Sequence, residues 1–102
     1  MDYRGIEYVS QHAGQRLAQR NLSADDVRYV FTHGRRFHTA HALFVCLGRR
    51  DIPEADRRHD ARTRLEGTVL VLDPYTGQHL TTAYRNRRCG IRDVKRKSKR
   101  SL

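Results

Sequence analysis

The sequence predicts an α+β domain in which two N-terminal helices pack on an antiparallel sheet of about four strands. Two observations predict this class. Up to Gly34 the apolar residues recur at intervals of three and four, as on one face of a helix. After Gly34 they fall in short extended runs separated by turn residues. A chain of 102 residues suits one domain, which we assign to residues 1–91, followed by a basic tail at 92–102.

The first predicted helix covers residues 11–20. Ser10 precedes it as a suitable N-cap, because its hydroxyl can accept a hydrogen bond from a free amide of the first turn. Ala13 and Leu17 are four positions apart and are expected to face the core. Asn21 tolerates the left-handed conformation that ends a helix, so we expect the chain to turn there.

The second predicted helix begins after Ser23. This residue is expected to cap it, with Asp26 in the position that completes a capping box. The expected buried face consists of Val27, Val30 and Phe31. The helix should end at His33, and Gly34 should follow its last turn.

The four predicted strands cover residues 35–40, 42–47, 68–72 and 78–85. Between the second and third, residues 48–66 carry mixed charge and no apolar stripe, which indicates an exposed loop or a short helix. The segment from Asp73 to Gly77 predicts a hairpin turn. Pro74 fits the second position of a type I turn, and Gly77 fits the left-handed residue after it.

Composition argues against several classes of protein. No apolar run approaches the ~20 residues that span a bilayer, and the N-terminus lacks the pattern of a secretory signal. Cys46 and Cys89 form no Cys-x-x-Cys pair, so free thiols in a cytoplasmic protein are the better interpretation and a disulfide is unsupported. No metal or other cofactor is predicted, because the six His and two Cys lack the spacing of a zinc site.

Positive charge is concentrated at the C-terminal end. Residues 85–100 hold nine Lys or Arg against one Asp, a net charge of +8, whereas residues 1–84 carry only +2. This asymmetry predicts an anionic partner, with nucleic acid first and an anionic membrane surface second. The alternative is a tail that only solubilises the protein.

The last predicted strand carries the first candidate site. Simple alternation gives one face with His79, Thr81, Ala83 and Arg85 and another with Leu80, Thr82 and Tyr84. If Leu80 marks the core side, His79 and Arg85 point outward together, although a bulge would change this order. Arg, hydroxyl and aromatic side chains together suit phosphate and bases.

A stripe on the first helix is the second candidate site. His12, Arg16 and Arg20 follow one another at intervals of four, so they share one face. A histidine beside two arginines suits metal-independent RNA cleavage, in which the 2′-hydroxyl attacks its own phosphorus and needs proton transfer and positive charge. The alternative is structural: His12 caps or packs on the sheet, and the arginines are solvated or paired with acids.

Several segments resemble a bacterial protein family. They are His12-Ala13-x-x-Arg16-Leu17-x-x-Arg20, Leu22-Ser23-x-x-Asp26-Val27, Gly34, Leu47-Gly48-Arg49-Arg50-Asp51-Ile52-Pro53, Leu65-Glu66-Gly67 and Thr82-Ala83-Tyr84-Arg85-Asn86-Arg87. Over most of residues 11–97 the chain is similar to domain-of-unknown-function family 4258, although that family usually has Gly where this chain has Asn21. The family is grouped with the RelE-type and barnase-like ribonuclease toxins. The resemblance implies two helices before a four-stranded antiparallel sheet, and a metal-independent ribonuclease whose matching residues are His12, Arg16, Arg20, Thr82, Tyr84 and Arg85.

These observations define the candidate residues. The candidate catalytic residues are His12, Arg16, Tyr84 and Arg85. The candidate nucleic-acid-binding residues are Arg20, His79, Thr82, Arg87, Arg88, Arg92, Lys95, Arg96, Lys97, Lys99 and Arg100. The predicted function is an RNA-interacting, toxin-like domain that acts as a metal-independent endoribonuclease on free or ribosome-associated RNA. The alternatives are a non-catalytic nucleic-acid-binding module and a member of a toxin–antitoxin pair that binds an acidic antitoxin.

Overall fold

The structure, a computed structural model, describes residues 6–86. The strands are β1 (Tyr8–Val9), β2 (Arg35–His38), β3 (Leu43–Cys46), β4 (Thr68–Leu72) and β5 (His79–Arg85). The helices are α1 (Gln11–Gln19), α2 (Ala24–His33) and α3 (Asp60–Thr63), and two 3₁₀ helices lie at Arg49–Asp51 and Glu54–Arg58. The predicted α+β class is confirmed. The details differ, because the described part of the chain adds a fifth strand and a third helix.

The sheet is mixed rather than purely antiparallel. Its strand order is β1-β5-β4-β3-β2. From β2 to β5 every neighbouring pair is antiparallel, as expected, but β1 pairs with β5 in parallel. Only Tyr8 and Val9 take part, opposite His79 and Leu80. From sequence, Ile6, Tyr8 and Val9 fit either a short strand or the lead-in to a helix, because two residues show no periodicity. The structure shows the strand.

Both predicted helix caps are present. The Ser10 hydroxyl accepts a hydrogen bond from the Ala13 amide at 3.0 Å. Ser23 and Asp26 form the reciprocal capping box at the start of α2. Asn21 has a φ of 56°, so it adopts the left-handed conformation expected between the two helices. These features depend on residues a few positions apart, and local sequence was sufficient to predict them.

Strict alternation in β5 is wrong. Val71 of β4 lies opposite Thr82, and the next residue, Leu72, lies opposite Leu80, so Thr81 is an extra residue in β5. This bulge puts Leu80 and Ala83 on the same side of the sheet, where both are buried against the helices. Ala83 therefore belongs to the core and not to an outward face.

The two faces of the sheet carry separate apolar clusters. The helix-side cluster joins residues of α1 and α2 to β3, β4 and β5; examples are Leu17, Val30, Val45, Leu70 and Leu80. The second-face cluster consists of buried Ala42, Phe44, Cys46 and Val69 with partly buried Phe37, Val71 and Tyr84. α1 packs mainly on β5, and α2 on β4 and β3.

The segment between β3 and β4 is not a simple exposed loop. It contains both 3₁₀ helices and α3. Ile52 and Leu65, 1% and 0% exposed, insert into the helix-side cluster near its two ends. The Tyr29 hydroxyl donates to an Asp56 carboxylate oxygen at 2.7 Å and fixes the middle to α2. The short helix that the sequence allowed is therefore present as α3. Two apolar anchors at wide spacing give no stripe, so the sequence pattern did not show that the segment is fixed to the core.

Cys46 is disulfide-bonded, and the prediction of a free thiol at this position is wrong. The chain contains one other cysteine, Cys89, which lies outside the described residues. Cysteine spacing alone could not reveal the bond, because pairing depends on which strands become neighbours. Within residues 6–86, no helix has the length and apolar character needed to cross a membrane.

Candidate nucleic-acid interface

A groove of about 390 Å³ opens where the end of α1 meets the end of β5. Its cationic wall consists of Arg20, Arg64 and Arg85. The remaining lining residues are Gln19, Asn21, Leu22, Thr68 and Tyr84. Among the described residues the lining contains no acid and no histidine. We call this feature the cationic groove.

The sequence builds the groove by aligning α1 with β5. At the start of the helix, the Ser10 amide donates to the Leu80 carbonyl at 3.0 Å, and its hydroxyl donates to the Thr81 carbonyl at 3.1 Å. The helix ends near the other end of the strand, where the left-handed Asn21 turns the chain away. The wall of the groove at Arg20 therefore faces the wall at Arg85.

The three arginines differ in their partners. Arg64 donates to Asp26 at 2.5 Å, and Asp26 is only 6% exposed. Neither Arg20 nor Arg85 forms an ion pair or a side-chain hydrogen bond with a described residue. Both side chains are exposed. Two guanidinium groups without acidic partners can each offer paired N–H donors to a phosphate.

Asp26 supports the groove from behind. Burial raises the pKa of its carboxyl, but hydrogen bonds from the Ser23 amide, Arg64 and the Ser23 hydroxyl outweigh burial and leave the pKa below 3.8. Asp26 therefore stays ionised at neutral pH and holds Arg64 at the junction of α1, α2 and α3. Much of the Arg64 charge is offset by this carboxylate, so the positive potential of the groove comes mainly from Arg20 and Arg85.

Tyr84 is less available than the sequence suggested. It lines the groove, yet its ring packs against the second-face cluster with Val69, its neighbour in β4. Burial raises the pKa of Tyr84 above 10.0, so the phenol keeps its proton at neutral pH. A tyrosine in this state can donate a hydrogen bond but is not a base, and its hydroxyl oxygen is buried.

The other candidates on α1 lie outside the groove. His12 is in the first turn and is exposed. Eight helical positions separate it from Arg20, which corresponds to about 12 Å along the axis. Arg16 lies between them and donates to the Gln19 side chain at 3.2 Å. The stripe is real, but only its last member reaches the groove.

The remaining predicted residues fall into three groups. His79 lies at the far end of β5, with its ring centroid 5.6 Å from that of Tyr8. Thr82 pairs with Val71, a member of the second-face cluster. The basic residues from the tail prediction lie outside the described range; they are Arg87, Arg88, Arg92, Lys95, Arg96, Lys97, Lys99 and Arg100.

Sequence reasoning missed Arg64, Gln19, Asn21 and Thr68 as groove residues. Arg64 lies in the segment 48–66, whose position relative to the sheet the sequence pattern did not predict. No local signal could therefore have placed Arg64 in the groove. Gln19 and Asn21 flank Arg20, and a search of the helix end would have included them. Thr68 is opposite Arg85 in the sheet, and correct pairing of the last two strands would have shown it.

The groove is suited to binding anionic oxygen atoms. It combines two guanidinium groups that have no acidic partner within residues 6–86 with amide and hydroxyl side chains, which are common phosphate ligands. The described residues contain no group of three or more His, Cys, Asp or Glu side chains arranged to hold a metal ion.

No protein-family model, curated protein or solved structure matches the chain. The resemblance to family 4258, and the activity that it implies, therefore stay predictions.

Proposed function

We propose that this chain binds RNA and holds its phosphates in the cationic groove. The observation that carries the proposal is the convergence of Arg20 and Arg85 in one groove, without an acidic partner among the described residues. The excess of basic residues after Tyr84 adds long-range attraction for the same polyanion.

Aromatic side chains at the opposite end of β5 support a single-stranded ligand. Tyr8 is 59% exposed and contacts His79 edge to face. His79 and Arg85 are six strand positions apart, about 20 Å. Unpaired bases can stack on the aromatic end while their phosphates reach the groove, whereas the bases of a duplex are already stacked on one another.

The test is fluorescence anisotropy with a labelled single-stranded oligoribonucleotide. The double variant Arg20→Ala, Arg85→Ala should bind about tenfold more weakly than the wild type. Its affinity should also depend less steeply on salt, by about 1 in the log–log slope, because fewer phosphate counterions are released.

A matched double variant, Arg50→Ala, Arg58→Ala, controls for net charge. Both residues are exposed and lie on the segment between β3 and β4, outside the groove. Its affinity should fall by about twofold at most. Equal losses in the two double variants would show that charge alone drives binding and would refute the groove. Duplex DNA as competitor tests the preference for single-stranded RNA.

Metal-independent RNA cleavage is the second candidate function. It is favoured by the presence of Tyr84, which keeps its proton at neutral pH, in the lining that also contains Arg20 and Arg85, although its hydroxyl is buried and would have to become accessible to RNA. His12 is the nearest predicted base on α1, about 12 Å along the helix from the groove. A bound RNA would have to extend along α1 to meet both.

Cleavage is tested by incubating the protein with mixed RNA in EDTA and resolving the products on a denaturing gel. The wild type should produce fragments, and the double variant His12→Ala, Arg85→Ala should not. Fragments from both would exclude these residues as the catalytic pair. Binding without fragments from the wild type leaves the binding module as the function.

The same proposal extends to the fold and the biological role: the chain has a RelE-like fold and acts as a toxin. Two helices preceding the antiparallel succession of β2 to β5 support it. In that case an acidic antitoxin would compete with RNA for the cationic groove. The complex with the antitoxin should resist high salt better than the complex with RNA does. An RNA ligand also implies a cytoplasmic protein, although disulfides are typical of oxidising compartments.

A further inference from the structure

A second cavity adjoins the cationic groove. Its volume is about 290 Å³, and Asn21, Leu22 and Arg64 line both spaces. The other residues that line it are Leu17, Ala18, Ser23 and Asp26. We call this space the side cavity. An apolar wall with a few polar groups is typical of a site for an organic ring, whereas the groove has the composition of a phosphate site.

Asp26 brings an unused acceptor to the side cavity. Its Oδ2 atom accepts hydrogen bonds from the Ser23 amide at 3.0 Å and from Arg64 at 2.5 Å. Its Oδ1 atom accepts none from residues 6–86 and is not fully buried. The residue as a whole is only 6% exposed. Because an ionised carboxylate with little access to water gains from each added donor, a ligand that donates to Oδ1 would be bound favourably.

Asn21 adds a donor and an acceptor between the two cavities. It lines both of them, and its side chain forms no hydrogen bond with a described residue. Its φ of 56° is one that glycine adopts without steric cost. The turn therefore carries an amide side chain that the backbone does not require. Such an amide can bind the exocyclic amine and a ring nitrogen of one base at the same time.

The two side chains together fit a base that has an amine next to a ring-nitrogen acceptor. Adenine and cytosine both have this edge. The amine can donate to Oδ1 of Asp26 and to the Asn21 carbonyl, while the ring nitrogen accepts from the Asn21 amide. Uracil and guanine carry a carbonyl oxygen at the position of the amine. That oxygen would face the carboxylate, and two acceptors repel each other.

We propose that the side cavity holds one base of the bound RNA, and that Asn21 and Asp26 favour adenine or cytosine there over uracil or guanine. The inference rests on the proposed function: a phosphate lies in the cationic groove, and one ribose connects it to the base in the side cavity. Bases of single-stranded RNA can leave the stack and be bound by their edges in this way. Phosphate contacts alone carry no sequence information, so the side cavity is the source of sequence preference.

The test compares labelled oligouridylates that differ at one central base, with fluorescence anisotropy as the readout. Adenosine at this position should bind about tenfold more tightly than purine riboside, which lacks only the amine, because two hydrogen bonds are lost. It should also bind more tightly than uridine or guanosine. Equal affinity for adenosine and purine riboside would overturn the proposal, as would tighter binding of uridine or guanosine.

Asn21→Gly removes the amide without disturbing the turn, because glycine accepts the same φ. The preference for adenosine over purine riboside should fall from about tenfold to about threefold, the part that remains being due to Asp26. The control is Gln19→Ala, which removes an amide from the groove but not from the side cavity and should leave the ratio unchanged. An unchanged ratio in Asn21→Gly would refute the role of Asn21, and a complete loss of preference would refute that of Asp26.

The base site and the proposed function fail in different ways. If the wild type bound none of the oligonucleotides, RNA binding would be refuted and the base site with it. If it bound all of them alike, and Arg20→Ala with Arg85→Ala still weakened every complex, the base site alone would be refuted.

Discussion

Arg64 shows how a single side chain connects three parts of the molecule. It follows α3, donates to Asp26 in the capping box of α2, and lines the groove beside Arg20. Because Asp26 is buried and Arg64 is half exposed, the carboxylate depends on this partner more than the guanidinium does. The pair fixes geometry at the groove rather than supplying its charge.

The ionisation of Asp26 makes a pH-dependent prediction. Its pKa is lower in the folded protein than in the unfolded chain, so its contribution to stability is complete above about pH 4 and is lost as the pH falls through the folded-state pKa. Asp26→Asn should lower the free energy of unfolding by about 1–3 kcal/mol at pH 7. The difference from the wild type should shrink toward pH 3 in urea titrations.

Asp25→Asn is the matched control for this prediction. Asp25 is in the same turn, is exposed and pairs with Arg28 on the surface. Surface pairs contribute about 0–1 kcal/mol, so this change should have a small effect at both pH values. If the difference in the free energy of unfolding between the wild type and Asp26→Asn grew as the pH fell, the assigned role of Asp26 would be contradicted.

At the scale of elements, Gly34 sets how closely α2 approaches β3. Its φ is −69°, so backbone conformation does not require glycine there. A Cβ at this position would lie 2.7 Å from the Val30 carbonyl oxygen and 2.8 Å from a Val45 methyl. The sequence predicted this glycine as a helix-ending residue, whereas its hydrogen atom is needed for close packing.

Gly34→Ala should therefore destabilise the protein, by about 1–3 kcal/mol, because the helix end must move away from the sheet.

Gly14→Ala is the opposite case. Gly14 lies inside α1 with nothing within 4 Å of an added Cβ. This change should raise the free energy of unfolding by about 0.5–1 kcal/mol through helix propensity. Thermal unfolding of both variants distinguishes packing from propensity, and a stable Gly34→Ala protein would contradict the close approach.

At the scale of the whole molecule, charge and fold are separated along the chain. Most of the net charge lies after Tyr84, while the body provides the cationic groove. Deleting residues 92–102 removes six basic residues and one acid but keeps Cys89 and Ile91. RNA affinity should fall about tenfold or more near 0.1 M salt, and the salt dependence should become shallower by up to about 4 in log–log slope.

A neutral Gly/Ser segment of the same length in place of residues 92–102 controls for chain length. It should match the deletion in affinity and in salt dependence. Wild-type affinity in either variant would remove the tail from RNA binding and leave the groove as the whole site. Anisotropy titrations at four or more salt concentrations provide both quantities.

The features that the sequence predicted are those set by neighbours in the chain. Ser10, Ser23 and Asn21 act on residues a few positions away, and after Thr68 the strand β4 is an uninterrupted apolar run. For the same reason Arg20 and Arg85 were recognised as cationic from their own segments. Local sequence patterns could not predict that the two arginines line the same groove.

The features that the sequence did not predict depend on distant partners. β1 exists because two residues pair with β5, and the bulge at Thr81 is seen only in the register between β4 and β5. Arg64 reaches the groove only after Leu65 has anchored its segment in the core. Single-sequence periodicity contains no information on such contacts.

The parallel pairing of β1 with β5 has a consequence for synthesis on the ribosome. Tyr8 and α1 emerge well before their partner strand, which begins at His79. A chain that has not yet reached β5 carries two capped helices whose apolar faces have no strand beside them. Contacts between such distant positions form late, because a long loop must close first. The groove between α1 and β5 is therefore assembled only after β5 has been synthesised and has left the ribosome.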